Sequence, residues 1–148
     1  MRFVIQRVLS AHVAIAGELV GAIGPGLLVL AAIAPDDSLV EGEWMIEKTM
    51  RLRIFDDASS FMAKNVEEVA GGILLVSQFT LYADLRKGAR PSFSNAMSPA
   101  NAKVLFEQLQ TRWEARYPGR VQGGRFGADM QVSLCNDGPV TLILDKDS

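Results

Sequence analysis

The 148-residue chain is poor in the side chains that most often carry covalent or metal chemistry, with one cysteine, Cys135, and one histidine, His12. A single thiol excludes an intramolecular disulfide and leaves a cysteine-based zinc site without its ligands, and nothing else in the sequence implies a metal or an organic cofactor. A Ser/His/Asp triad or a Cys/His pair would have to be built around His12, which stands near the first strand turn, where a surface or interface strand residue is the simpler reading. Long apolar runs are missing too. None approaches the roughly 20 residues needed to cross a bilayer, and the opening MRFVIQRV enters a strand-like alternation instead of an export signal, so no membrane contact and a cytoplasmic address are expected. The chain also lacks a strong excess of either charge: 15 Lys and Arg against 17 Asp and Glu leave a formal net charge of −2. That balance argues against a protein that coats nucleic acid by counterion release, so any RNA contact must be local. Arg86, Lys87 and Arg90, flanked by Gly88 and Pro91, are the candidates, with a solvated loop as the alternative.

What is present is an ordinary globular composition, 49% hydrophobic and 22% charged, on a length suited to a single domain spanning residues 1–148. Alternation over residues 2–15 predicts one or two strands, with Gly17-Glu18 as a hairpin turn and a return over 19–23. Residues 27–33 form a continuous apolar run with the length of a buried strand, and 73–79 form a second. Between them, Pro35 to Ser38 predict a helix entry, and Val40, Trp44, Ile46 and Met50 recur at helical spacing to about Arg53, with Gly42 weakening that helix by about 1 kcal/mol against alanine. Residues 55–69 carry turn chemistry. The polar stretch 84–97 is the longest loop, and a loop of that length in a compact domain is more often functional than idle. Ser98-Pro99 predict a helix cap followed by proline at the first helical position, and Ala102, Leu105, Phe106, Leu109 and Trp113 form one apolar stripe, read as core. Ala128, Met130, Val132 and Leu134 alternate with polar residues and predict a strand with one buried face, and 140–144 the last strand. The whole predicts a single α/β domain, a mixed β-sheet with two main helices packed on one side.

Two strings stand out chemically. Ser77-Gln78-Phe79-Thr80-Leu81 falls at the end of a buried apolar strand, where polar groups are held rigidly and main-chain N–H groups can be left free to meet a ligand, although Ser and Thr there often just bond nearby backbone. Asn136-Asp137-Gly138-Pro139 lies between two predicted strands. An ordinary hairpin turn is one reading. Proline after the glycine cannot donate to a ladder, and so also fits an edge or a projecting loop.

The ordered pairing of SQFTL with NDGPVT resembles the D-aminoacyl-tRNA deacylase family, and the likeness runs over the whole chain, from QRV near the start through RPSFS and RFGADMQVSL. The resemblance implies a homodimer in which each active site is completed across the interface, acting on the 3′ acceptor end of D-aminoacyl-tRNA. It implies that Ser77, Gln78, Phe79 and Thr80 form the catalytic strand end, and that Gly138-Pro139, expected cis, reaches into the partner's pocket to read chirality. Arg7, in QRV, would hold that pair. Met130 matches a pocket position, and Asn136 belongs to the second signature.

An aminoacyl ester is activated, so its hydrolysis needs a positioned water and relief of charge on a tetrahedral oxygen, for which main-chain N–H groups around Phe79 and Thr80 are the candidates. Attack by Thr80 itself would need a base, and no histidine is evident for it. Activation of water by the 2′-hydroxyl of the terminal ribose is the favoured alternative. A backbone wall that collides with an L side chain would exclude L substrates while admitting D-aminoacyl and glycyl esters. Two rivals remain in view: a non-catalytic RNA-end binding module, and a threonine- or serine-nucleophile esterase of small molecules, with His12 or a carboxylate such as Asp129 as base.

Overall fold

The central apolar runs at residues 27–33 and 73–76 are too rich in branched side chains and too unbroken to face water on either side, and the structure buries both faces of each. The computed structural model describes residues 1–148. In chain order it contains β1 (Arg2–Ile15), β2 (Glu18–Ile23), β3 (Gly26–Ala32), α1 (Leu39–Arg51), β4 (Gly72–Ser77), a 3₁₀ turn (Phe79–Tyr82), α2 (Pro99–Arg116), β5 (Val121–Gly123) and β6 (Gln131–Asp145). β3, β4 and β5 are parallel, β1 is antiparallel to β2 and β3, and β6 runs antiparallel along β1. The mixed sheet therefore follows the expected class.

Period-2 alternation sorts the strand residues between two apolar clusters. Leu27, Val29, Ile73 and Leu75 join α1 and α2 in the larger one, with Phe3 stacked on Trp113 at 5.9 Å between ring centroids. Leu28, Leu74 and Val76 face the opposite way with Val8, Ala11 and Val13, under β2, which curls back against β4 and β5 so that the sheet nearly closes. Both helices thus cover one face.

α1 begins at Ser38, whose hydroxyl accepts from the Val40 amide while Glu41 accepts from the Ser38 amide and hydroxyl, each at 2.7 Å. Just ahead of it, the Met1 ammonium and the Ala34 amide both bond the buried Asp37 carboxylate, each at 2.7 Å. The buried stripe of α1 differs from the predicted one. Val40 and Trp44 are 71% and 42% exposed, and the inward face is Gly42, Met45, Ile46, Thr49 and Met50. The 3–4 spacing runs through a glycine and a threonine, residues that a hydropathy pattern skips. A Cβ on Gly42 would lie 2.8 Å from Leu109 Cδ1, so this glycine lets α1 approach α2. All five stripe residues of α2 are buried. Its start departs from expectation, because the Ser98 side chain makes no capping bond, although Pro99 occupies the first turn. The Ser98 carbonyl instead accepts the Ala102 amide at 2.9 Å.

Two further differences bear on function. β4 stops at Ser77, and Phe79, predicted as buried strand, is 53% exposed on the 3₁₀ turn. The strands predicted on either side of residue 136 are one strand, β6, and no hairpin turn separates them. The segment 128–135 lacks a fully buried face: Met130 and Val132 are half-buried and Leu134 is 39% exposed. β5 was not foreseen, since Val121–Gly123 is too short to carry a pattern.

Candidate active site

The carboxyl ends of parallel strands leave main-chain groups unpaired, and this is where an open sheet offers a crevice. The Gln78 amide extends the β3–β4 ladder by one more bond, to Ala31 O at 2.8 Å. The chain then turns. Phe79 and Thr80 open the 3₁₀ turn, where no intrahelical acceptor is in reach, and no loop, turn or side-chain group accepts from either amide. The Gln78 side-chain amide donates to the Thr80 hydroxyl oxygen. Beside this turn, Arg2 donates to Leu81 O at 3.2 Å and lies 5.3 Å from the centroid of the Tyr82 ring. Burial and the negative charge of Asp37, opposed by Arg2, push the Tyr82 phenol up to about 12.

A cavity of about 530 Å³ opens beyond the ends of β3 and β4. Ala31 to Ile33 and Val76 to Phe79 form its floor, Phe93 and Met97 one side, and Phe126 to Met130 another. Ser77, Gln78 and Asp129 are its only polar side chains. A mostly apolar hollow with a few convergent polar groups is the usual form of a small-molecule site.

The second signature makes a different object. β1 and β6 pair as Val8 with Asn136 and then Gln6 with Thr141, so a single residue of β1, Arg7, lies opposite four residues of β6, Asp137 to Val140. The excess is thrown outward as a wide bulge. Its tip is an exposed cis Gly138-Pro139 peptide, with Gly138 at φ +134, where an L side chain would be strained and its Cβ would sit 2.9 Å from Val140 Cγ2. Asn136 closes the neck with its side chain: Oδ1 accepts the Val140 amide at 2.8 Å and Nδ2 donates to Thr141 Oγ1 at 3.0 Å. Arg7, 6% exposed, donates from Nε to Asp137 O at 3.0 Å and from Nη1 to Ile54 O at 2.6 Å, with the carboxylates of Asp137 and Asp56 at 3.4 and 3.7 Å.

Within the chain the predicted residues therefore fall into two groups. Ser77, Gln78, Phe79 and Met130 line the cavity, with Thr80 on the adjoining turn. Arg7, Asn136, Gly138 and Pro139 build the bulge, and none of them lines the cavity. His12 is exposed in β1, between Ala22 and Ser133, and is not a cavity residue. Asp129 lines the cavity but makes no hydrogen bond to Thr80. No group of three or more His, Cys, Asp or Glu side chains is gathered as a metal would require. Sequence reasoning missed Phe93, Met97 and Phe126 in the walls and Ile54 as a partner of Arg7. The signal that could have found the walls is positional, since segments that follow parallel strands flank the same crevice.

Residues 4–145 match the family described as D-Tyr-tRNA(Tyr) deacylase. The chain is 51% identical over 146 residues to the D-aminoacyl-tRNA deacylase of Akkermansia muciniphila, covering 99% of this chain and 97% of that protein. It is 52% identical over 146 residues, with the same coverage, to the D-aminoacyl-tRNA deacylase of Dechloromonas aromatica. Among solved structures, a c-Myc DNA unwinding element binding protein superposes with a TM-score of 0.94 at 39% identity over the whole of both chains. A probable eukaryotic D-amino acid tRNA deacylase superposes with a TM-score of 0.86 over 98% of each chain, at 18% identity, a likeness of fold alone. By sequence along nearly its whole length, the chain belongs to the D-Tyr-tRNA(Tyr) deacylase family.

Proposed function

We propose that this chain hydrolyses the ester joining a D-amino acid to the terminal ribose of tRNA, releasing free D-amino acid and tRNA, and that it proofreads chirality by refusing L-aminoacyl esters. The observation that carries the reading is the pair of free main-chain N–H groups at Phe79 and Thr80, set at the rim of a cavity with few polar side chains. Water adds to the ester carbonyl, and the carbonyl π pair moves to oxygen, where these donors receive it. Each such donor is worth about 2.7–4 kcal/mol in comparable sites. The C–O3′ bond then breaks. The attacking water gives its proton to the neighbouring 2′-hydroxyl, whose own proton passes to the departing 3′-oxygen, so the protein positions groups and titrates none. Absence of a histidine from the cavity favours this route over attack by Thr80, whose hydroxyl would need a base.

The chiral barrier in this reading is the Gly138-Pro139 bulge of a second copy. Support comes from its exposure and from its separation from the cavity of its own protomer, which leaves its main chain free to meet another. A wall made of backbone excludes by collision, so the identity of a D side chain matters little and glycyl-tRNA is also accepted. The enzyme acts as a homodimer in the cytoplasm, where its substrate is made, with no cofactor. Incubation with D-Tyr-tRNA and L-Tyr-tRNA tests the reading: selective release of D-tyrosine is expected, and equal release of both, or of neither, refutes it. The name of the structurally similar DNA-element binding protein favours one other reading, a nucleic-acid-end binding module without turnover. The same assay separates the two, because a module binds and releases nothing.

A further inference from the structure

The loop that follows the 3₁₀ turn is rooted at the rim of the cavity. Asp84 and Ser92 exchange main-chain hydrogen bonds at 2.7 and 3.0 Å, which pins the two ends of the loop together. The next residue, Phe93, lines the cavity and packs edge-on against Phe79, with ring centroids 4.9 Å apart. Position of the loop and position of the strand end are thereby coupled. Between the pinned ends lie Arg86, Lys87 and Arg90 and no carboxylate. Arg86 is already taken, since its Nε and Nη2 grip the Asp84 carboxylate at 2.8 and 2.6 Å. Lys87 and Arg90 are exposed and form no ion pair. In a chain of net charge −2, two unpaired cations on a loop rooted at the cavity rim are a local anion-seeking surface. A pinned loop of this length reaches roughly 12 Å from its root. At about 3.4 Å per nucleotide along a stacked strand, that spans some three phosphates.

We propose that Lys87 and Arg90 hold the phosphate backbone of the tRNA acceptor end, within the first few nucleotides of the ester, while Arg86 stiffens the loop through Asp84. This rests on the reading that tRNA is the substrate. Binding of uncharged tRNA is measured against salt, from about 50 to about 200 mM, for the intact protein and three variants. The pair Lys87→Ala/Arg90→Ala should bind roughly tenfold more weakly at low salt, with a log–log salt slope shallower by about 1.4, or ~0.7 for each single-strand phosphate no longer neutralised. The charge-keeping pair Lys87→Arg/Arg90→Lys should retain the slope, as should Arg86→Ala. A wild-type slope in Lys87→Ala/Arg90→Ala, or tRNA binding by the intact protein that does not depend on salt, overturns the proposal. Hydrolysis of D-Tyr-tRNA is followed in parallel. A protein that binds through the loop yet releases no amino acid upholds the loop and refutes the deacylase reading, whereas hydrolysis with a loop-independent slope does the reverse.

Discussion

Arg7 is a buried guanidinium whose donors meet two carbonyls from distant parts of the chain, Asp137 O in the bulge and Ile54 O after α1. Only a planar fork reaches both at once, and lysine, a point charge on a flexible stem, can serve one or neither. Hydrogen bonds to a charged group contribute about 1.5–3 kcal/mol each, and a carbonyl left unpaired adds its own penalty. Arg7→Lys should therefore lower kcat/KM on D-Tyr-tRNA by tenfold or more and narrow the gap between D and L substrates, because the bulge loses its tether. Single-turnover rates on both esters measure this, with the melting temperature as a control for gross unfolding. Thr80 makes the opposite case. Its amide, not its hydroxyl, is the group assigned to the reaction, so Thr80→Ala should retain activity within about tenfold, the amide being worth more than the side chain at an oxyanion. A Thr80→Ala protein that is folded, binds tRNA and is inert would reinstate a threonine nucleophile.

At the scale of elements, α1 is held by its cap and by its approach to α2. Ser38→Ala removes the capping box and should cost about 0.5–2 kcal/mol. The Ser38 hydroxyl and amide hold the Glu41 carboxyl below its ordinary range. A depressed carboxyl contributes stability that is present above its unfolded pKa, about 4.3, and is lost as pH falls through the lower folded value. Denaturant midpoints measured from neutral pH into acid should thus converge for wild type and Ser38→Ala as pH drops. Gly42→Val should destabilise by about 1–3 kcal/mol, since its side chain would enter space held by the fully buried Leu109. Helix α2 was legible in the sequence because its stripe consists of large apolar residues at unbroken spacing. The stripe of α1 was not, because two of its inward positions, Gly42 and Thr49, are a glycine and a hydroxyl residue. The Thr49 hydroxyl donates to Met45 O at 2.7 Å, which satisfies it inside the helix and lets it be buried.

At the scale of the whole molecule, the proposed sharing of each site between two copies has a consequence that a site within one chain lacks. One variant carries a blocked cavity, Ala128→Trp, and another has the 138–139 tip deleted. Each alone should be inactive. Mixed and re-equilibrated in equal amounts, they should recover about a quarter of wild-type activity, because half of the dimers are mixed and one of the two sites in each has both intact halves. No recovery, in dimers shown by mass to have exchanged, would place the bulge and the cavity of one site in the same chain.

The sequence by itself determined the chemistry-bearing strings, the two doubly buried strands and the α2 core, since each is a local pattern of side chains with a physical requirement attached. It also determined that no histidine-based triad was at hand without His12. Tertiary structure decided what those strings became. SQFTL ends a strand with free amides because β4 stops at Ser77 and turns, and NDGP became an outward bulge because Arg7 and Asn136 hold its neck while β6 continues along β1 on both sides. The cavity walls at Phe93, Met97 and Phe126 were invisible beforehand for the same reason. They lie in irregular segments, and their meeting depends on which strands are parallel neighbours, a long-range pairing that no local pattern records.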